Sequence, residues 1–365
     1  NEFSQKQNVS NYLLLMTVYF QREERKKQEE QKYLEYTKLS YLIQENFDTA
    51  KQEDLYEGLN FINNTFYSCF CDLAIDGCSQ ELLGIGYWLT NVYEYTSDYE
   101  KSVKIAHILL DHFLNNVSRI DKFILHKLIG CAYTLGIAKI NDFEKKEKCI
   151  QETFDLFSKI DSMIKKWKYR SRSDYLFIMG LFYSNFAASS INRYDWEFKH
   201  DKDEKKYLIK CKQVLNYHLK SKKYREELNS FCKTSDSIIR LYQTNSNIAG
   251  IYYRLKEFEK SISLHKEVLN YWIENNDKTR AMMSKTYIIG NYIELWNFTN
   301  EIKDEELKEC LEFLNECKEF YKNRDTTRYK NIVEKYYGKE IFYEDAFNEV
   351  VPEIYEKELK EAGII

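Results

Sequence analysis

Asn247–Leu269 reads NIAGIYYRLKEFEKSISLHKEVL. Ala249 is followed by Tyr252, then by Phe258 beyond a short polar stretch, and then by Ser261, His265 and Val268 at helical spacing. Two antiparallel helices joined near Lys256 account for this order. The small Ala249 lets the partner helix approach, Tyr252 fills the space one turn on, Phe258 opens the second helix, and Ser261 packs back against the first.

The same phase recurs along the chain. Leu89-Thr90, Tyr93, Tyr99, Ser102, Ala106 and Leu109 repeat it in full. Ile129-Gly130 with Tyr133 repeats the first helix, with a longer turn before Phe143, and Met179-Gly180 with Tyr183 repeats it again. Ile289-Gly290 gives a fifth instance, with Ile293 in place of the tyrosine. The small residues Thr90, Gly130, Gly180, Ala249 and Gly290 are separated by 40, 50, 69 and 41 residues. The long interval predicts one further degenerate pair containing Tyr207–Leu219 and Glu226–Tyr242.

This pattern resembles the tetratricopeptide repeat, whose unit is about 34 residues. The turn glycine of that family is Lys256 here. The resemblance implies an all-α fold: a right-handed α-solenoid of antiparallel helix pairs with degenerate repeats and a C-terminal helical cap. Residues 1–80 are expected to form N-terminal helices, as degenerate repeats or a small bundle. Residues 81–300 would be the repeat array and 301–365 the cap, in one continuous solenoid. Within these, Asn11–Phe20, Lys32–Glu45 and Leu55–Ala74 carry helical periodicity, Glu305–Tyr321 reads as an amphipathic helix, and Val333–Leu359 as one or two capping helices.

Composition agrees with helices. The 365 residues include one proline, Pro352, and 11 glycines, too few for the many special turns of an all-β or Rossmann-type chain. Charged residues are 31% and hydrophobic residues 44%, as expected of amphipathic helices with a solvated face. No apolar run reaches the roughly 18 residues of a membrane span, and Tyr12–Met16, followed by the charged Arg22–Glu30, makes a poor signal peptide. A cytoplasmic location is expected, with no membrane partner. The first residue is not Met, so the chain reads as a processed product or one part of a longer protein. A net charge of −4 argues against a nucleic-acid face spread over the whole chain. Lys199–Arg225 is nevertheless basic and Glu301–Glu361 acidic, so a local stripe could meet an acidic partner or phosphates, or be a solvated helix face.

No catalytic constellation is legible. Cys69, Cys71 and Cys78 lack the paired knuckles of a zinc site, and Cys310 and Cys317 read as core thiols. The histidines, His107, His112, His126, His200, His218 and His265, form no metal-ligating motif, and His265 occupies a packing position of the repeat. Phosphate-binding loops and nucleophile elbows are absent, and Asp304-Glu305-Glu306 fits the negative start of a helix. Neither a metal nor a cofactor is expected.

Binding is better supported. In tetratricopeptide arrays the residue after the small packing position points into the concave groove. That position is Asn91, Cys131, Leu181, Gly250 and Asn291 in the five units. An asparagine amide can donate to and accept from the backbone of an extended peptide, so Asn91 and Asn291 are candidate clamps. Tyr87, Glu94, Lys127, Asn185, Tyr253, Arg254, Tyr287 and Glu294 lie at neighbouring groove positions and would supply aromatic contact and charge selection. The expected partner is a peptide or extended protein segment, with a homodimer left open and nucleic acid reached only through a domain upstream of this chain. The architecture is similar to bacterial cytoplasmic peptide-pheromone receptors of the Rap and PlcR type, which hold peptide backbone with groove asparagines. No helix-turn-helix precedes the repeats, which departs from the transcription-factor version of that family. Two alternatives are the sensor of a larger signalling ATPase, whose repeats read like Asn276–Tyr292, and a Rap-like response-regulator phosphatase acting through Asn11–Ala74.

Overall fold

The computed structural model describes Thr90, Tyr93 and residues 98–115, 120–140, 142–168, 170–322 and 344–364. Every regular element among them is an α-helix. In chain order these are α1 (Tyr99–Asn115), α2 (Lys122–Ile137), α3 (Phe143–Lys166), α4 (Arg172–Asp201), α5 (Glu204–Phe231), α6 (Ser235–Arg254), α7 (Phe258–Glu274), α8 (Lys278–Thr299), α9 (Asp304–Lys322) and α10 (Glu344–Glu361). Within α1–α3 and within α4–α9, each helix packs chiefly on its neighbours in sequence, as in a stack of antiparallel pairs. The chain divides into two compact units, Asn1–Lys166 with Asp325–Tyr343, and Trp167–Arg324 with Glu344–Ile365.

Helix starts are set by short polar caps. Asp121 accepts from the Ile124 amide at 2.9 Å, Ser171 from Asp174 at 3.0 Å and Asp203 from Lys206 at 3.0 Å. Thr234 and Ser237 form a reciprocal capping box at the start of α6. Helix ends are less conventional. Lys202, Lys256, Asn276 and Asn300 take positive φ of 52°, 60°, 56° and 55°, the left-handed geometry usually given to glycine.

The pair packing read from the sequence is present at Thr90 with Ser102 and at Ala249 with Ser261, and Gly180 is met in the same way by Ser221, which the sequence did not single out. The Ser102 hydroxyl donates to the Thr90 carbonyl at 3.1 Å, Ser221 to Gly180 at 2.7 Å and Ser261 to Ala249 at 2.8 Å. In each case a small residue on the first helix brings the second close enough for its serine to reach a backbone oxygen.

The expected extra pair within the 69-residue interval is not found. Tyr207–Leu219 lies inside the single helix α5, and Glu226–Tyr242 is split between the end of α5 and the start of α6. The interval is long because α4 has 30 residues and α5 has 28. The stretches Asn11–Phe20, Lys32–Glu45 and Leu55–Ala74 lie outside the described residues.

The first unit contains α1 to α3, and its core includes Ile105, Leu109, Leu125, Leu128, Phe157 and Ile160. The second unit is built from the pairs α4/α5, α6/α7 and α8/α9, with α10 packed on α8 and α9. Phe258, Ile262, Leu269 and Trp272 of α7 meet Ile288, Ile289, Tyr292 and Trp296 of α8, and Cys310, Leu314 and Cys317 of α9 complete that core with Leu359 of α10. A smaller cluster of Ala187, Cys211, Val214 and Ile251 joins α4, α5 and α6.

Candidate functional site

A cleft of about 340 Å³ opens in the second unit, lined from α4 by Ala188 and Ile191 and from α6 by Ser246, Asn247, Gly250, Ile251 and Arg254. Tyr287 enters from α8, and His218 of α5 and His265 of α7 reach it from the second helices. Most of the lining therefore comes from first helices, the side on which the repeat pattern places a groove. Its size is at the small end of ligand pockets, about 300–1,000 Å³.

Gly250 makes the room. It follows Ala249, so the turn that presses Ala249 on Ser261 turns Gly250 toward the cleft. A Cβ there would meet only the Arg254 Nη1, at 3.8 Å, an ordinary contact.

Arg254 is held in place by α4. Its Nη2 and Nε donate to the two oxygens of Asp195 at 2.9 and 3.3 Å, and Nη1 donates to the Gly250 carbonyl at 3.1 Å. Burial opposes its charge, but the hydrogen bonds and charge of Asp195 more than offset this and hold the guanidinium above its usual pKa. Tyr207 of α5 donates its hydroxyl to the same carboxylate.

The two histidines are almost wholly enclosed, with exposures of 2% for His218 and 3% for His265. In each ring Nδ1 has no hydrogen-bond partner. Burial, helped by the charges of Arg225 and Arg254, pushes the His218 pKa down to about 3, and burial alone pushes that of His265 down to about 4. Both rings are neutral near pH 7. His265 lies 5.2 Å from the Tyr287 ring, centroid to centroid. Arg225, 7% exposed, donates to the Arg240 carbonyl and, at 2.7 Å, to Thr244 Oγ1. Burial and then the charge of Arg240 lower its pKa to about 9.

Of the residues singled out from sequence, Arg254 and Tyr287 meet in this cleft, and Gly250 lies between them. Tyr253 is exposed and packs edge-on to Phe258 at 5.7 Å, Asn185 is half-buried on α4, and Glu294 is half-buried on α8. Asn291 is 3% exposed and outside the cleft lining; its amide nitrogen donates to its own helix, at Tyr287 O, 2.8 Å away, while Oδ1 is buried without a partner. Lys127 belongs to the first unit, where burial lowers its pKa to about 8. Tyr87, Asn91 and Glu94 lie outside the described residues.

Sequence reasoning assigned His218 and His265 no binding role. The repeat register carried a signal for His265, since a polar ring stands there at a position that packs toward the first helices. His218 had none, because no repeat register was read for α5 from the sequence.

No protein-family model matches the chain. The trigger factor of Alkaliphilus oremlandii (strain OhILAs) is 60% identical over 35 residues, which are 10% of this chain and 8% of that protein. Among solved structures, a Signal Transduction ATPase with Numerous Domains protein with a tetratricopeptide repeat sensor, from Pyrococcus horikoshii, aligns with 95% of this chain and 52% of its own, at 14% identity and a TM-score of 0.32. The chain thus spans about half the length of that protein and under a tenth of the trigger factor.

Proposed function

We propose that this chain is a non-catalytic binding module that takes up a peptide or extended protein segment in the cleft between α4, α6 and α8. The cleft around Gly250 carries the reading: a first-helix position free of side chain, bordered by Ser246, Asn247, Arg254 and Tyr287. A peptide group offers both a donor and an acceptor, which the Asn247 amide and the Ser246 hydroxyl at the cleft wall can pair.

The polar groups of the cleft do not form a reacting set. His218 and His265 sit far below the pKa range useful to a general base at neutral pH, and Arg254 is committed to Asp195. In this reading the module is the sensing part of a cytoplasmic regulator, with output supplied by another domain or partner.

Gly250→Phe tests the assignment, because it fills the cleft from a helical position where a side chain meets no backbone. Replacing glycine inside a helix also removes its entropic penalty, about 0.5–1 kcal/mol relative to alanine, so the variant should fold. Native mass spectrometry of protein purified from its own cell extract should show a bound species of peptide mass that Gly250→Phe lacks. An identical bound species in both proteins would remove the cleft from the proposal.

A further inference from the structure

We propose that α10 is a latch on the binding groove: it occupies the stretch along α8 beyond the cleft, and a peptide long enough to run from the cleft onto α8 displaces it. The inference rests on the cleft being a peptide site and adds how that site is regulated.

The cleft is lined from α4 to α8, with Tyr287 at its α8 wall. Gly290 lies about one turn further along α8, and there the space is already taken. Tyr355 of α10 sets the edge of its ring against Gly290, where a Cβ would fall within contact of the hydroxyl and 3.1 Å from Cζ. Asn291, beside it, is buried. Burial first, and then the neighbouring Tyr253, Glu358, Tyr287 and Glu294, hold the Tyr355 hydroxyl above its usual pKa, so it stays protonated. Tyr253 of α6 and Tyr287 and Glu294 of α8 are the groove positions read from the sequence. The helix α10 therefore stands among groove residues of two first helices, next to the open cleft.

The hold on α10 is narrow. It gives the core of the second unit Leu359, with Tyr355 and Ile364 half-buried against that core, and Lys318 of α9 pairs with Glu356 at 2.5 Å. By comparison α7, of 17 residues against 18, commits Phe258, Ile262, Val268, Leu269 and Trp272 to the same core. Pro352 inside α10 removes a helical N–H and crowds the turn before it, so the helix draws its order from docking rather than from its own backbone. An extended chain advances about 3.3 Å per residue, so a tripeptide spans about 10 Å and a nonapeptide about 30 Å. The cleft of about 340 Å³ holds the first. The second extends past it and across α8, where it cannot share Gly290 with Tyr355. Peptide and α10 then compete, and each weakens the other by the same factor.

Fluorescence anisotropy with random tripeptide and nonapeptide pools tests this, using the whole chain and two variants that loosen the latch, Gly290→Ala and Tyr355→Ala. The nonapeptide pool should bind both variants at least tenfold more tightly than wild type, and the tripeptide pool should bind all three proteins alike. Addition of the nonapeptide pool, and not of the tripeptide pool, should speed amide exchange in residues 354–361 of wild type. If wild type and both variants bind nonapeptides equally, exchange in 354–361 is unchanged and Gly250→Phe still blocks binding, the peptide cleft stands and the latch is overturned. Binding that Gly250→Phe does not reduce overturns the cleft and this inference with it, as does failure of every pool to bind.

Discussion

Acid should weaken the second unit through two particular side chains. In the unfolded chain a histidine titrates near 6.5, whereas in the fold the pKa is about 3 for His218 and about 4 for His265. Above pH 6.5 both are neutral in either state and cost nothing. Between 6.5 and the folded values the unfolded chain binds the extra protons, so stability falls as pH falls, and the loss levels off below the folded pKa. At pH 5.0 the linkage relation gives about 2 kcal/mol lost for each ring, a large part of an ordinary domain's stability. Trp167, Trp196, Trp272 and Trp296 all lie in the second unit, so tryptophan fluorescence during urea unfolding reports mainly on it. Wild type should lose about 2 kcal/mol more than His265→Phe between pH 7.5 and pH 5.0, and His218→Phe should behave alike. Equal losses in wild type and His265→Phe would refute the assignment of His265 as a histidine buried in its neutral form.

Three further outcomes test the packing. Ser261→Ala removes the hydroxyl that reaches Ala249 O and should cost about 0.5–1.5 kcal/mol in denaturant unfolding. A Cβ at Gly290 would fall within contact of the Tyr355 hydroxyl and 3.1 Å from its Cζ. Gly290→Ala should therefore loosen α10, seen as faster amide exchange in residues 354–361, and Tyr355→Phe should restore part of the protection. Asn291→Leu, of similar size, replaces a buried carbonyl oxygen that has no partner and should raise stability by up to about 1 kcal/mol despite losing the bond to Tyr287 O.

The helix pairs were legible because close approach leaves a local mark: Thr90, Gly180 and Ala249 are small, and Ser102 and Ser261 stand where the repeat places the residue that reaches back, whereas Ser221, which reaches Gly180, was not read. Helix length left no such mark. Lys202 and Asn300 end α4 and α8 in left-handed geometry that glycine would have announced, and nothing around Tyr207–Phe231 distinguishes one long helix from two short ones. The cleft was legible only on the first helices. Arg254 and Tyr287 follow from the repeat register, but Asp195, which orients Arg254, is 59 residues away and has no spacing that links it to the motif. Asn291 shows a limit of register arguments, since one helical phase fixes the direction of a side chain but not whether later chain covers it.

The most direct test of the account is to locate a bound peptide. A random nonapeptide pool bearing benzophenone, irradiated with the whole chain and digested, should crosslink within Ser246–Arg254 and at segments containing His265 or Tyr287, and Gly250→Phe should suppress those products. Crosslinks of equal yield in wild type and Gly250→Phe, or confined to residues away from α4 to α8, would contradict it.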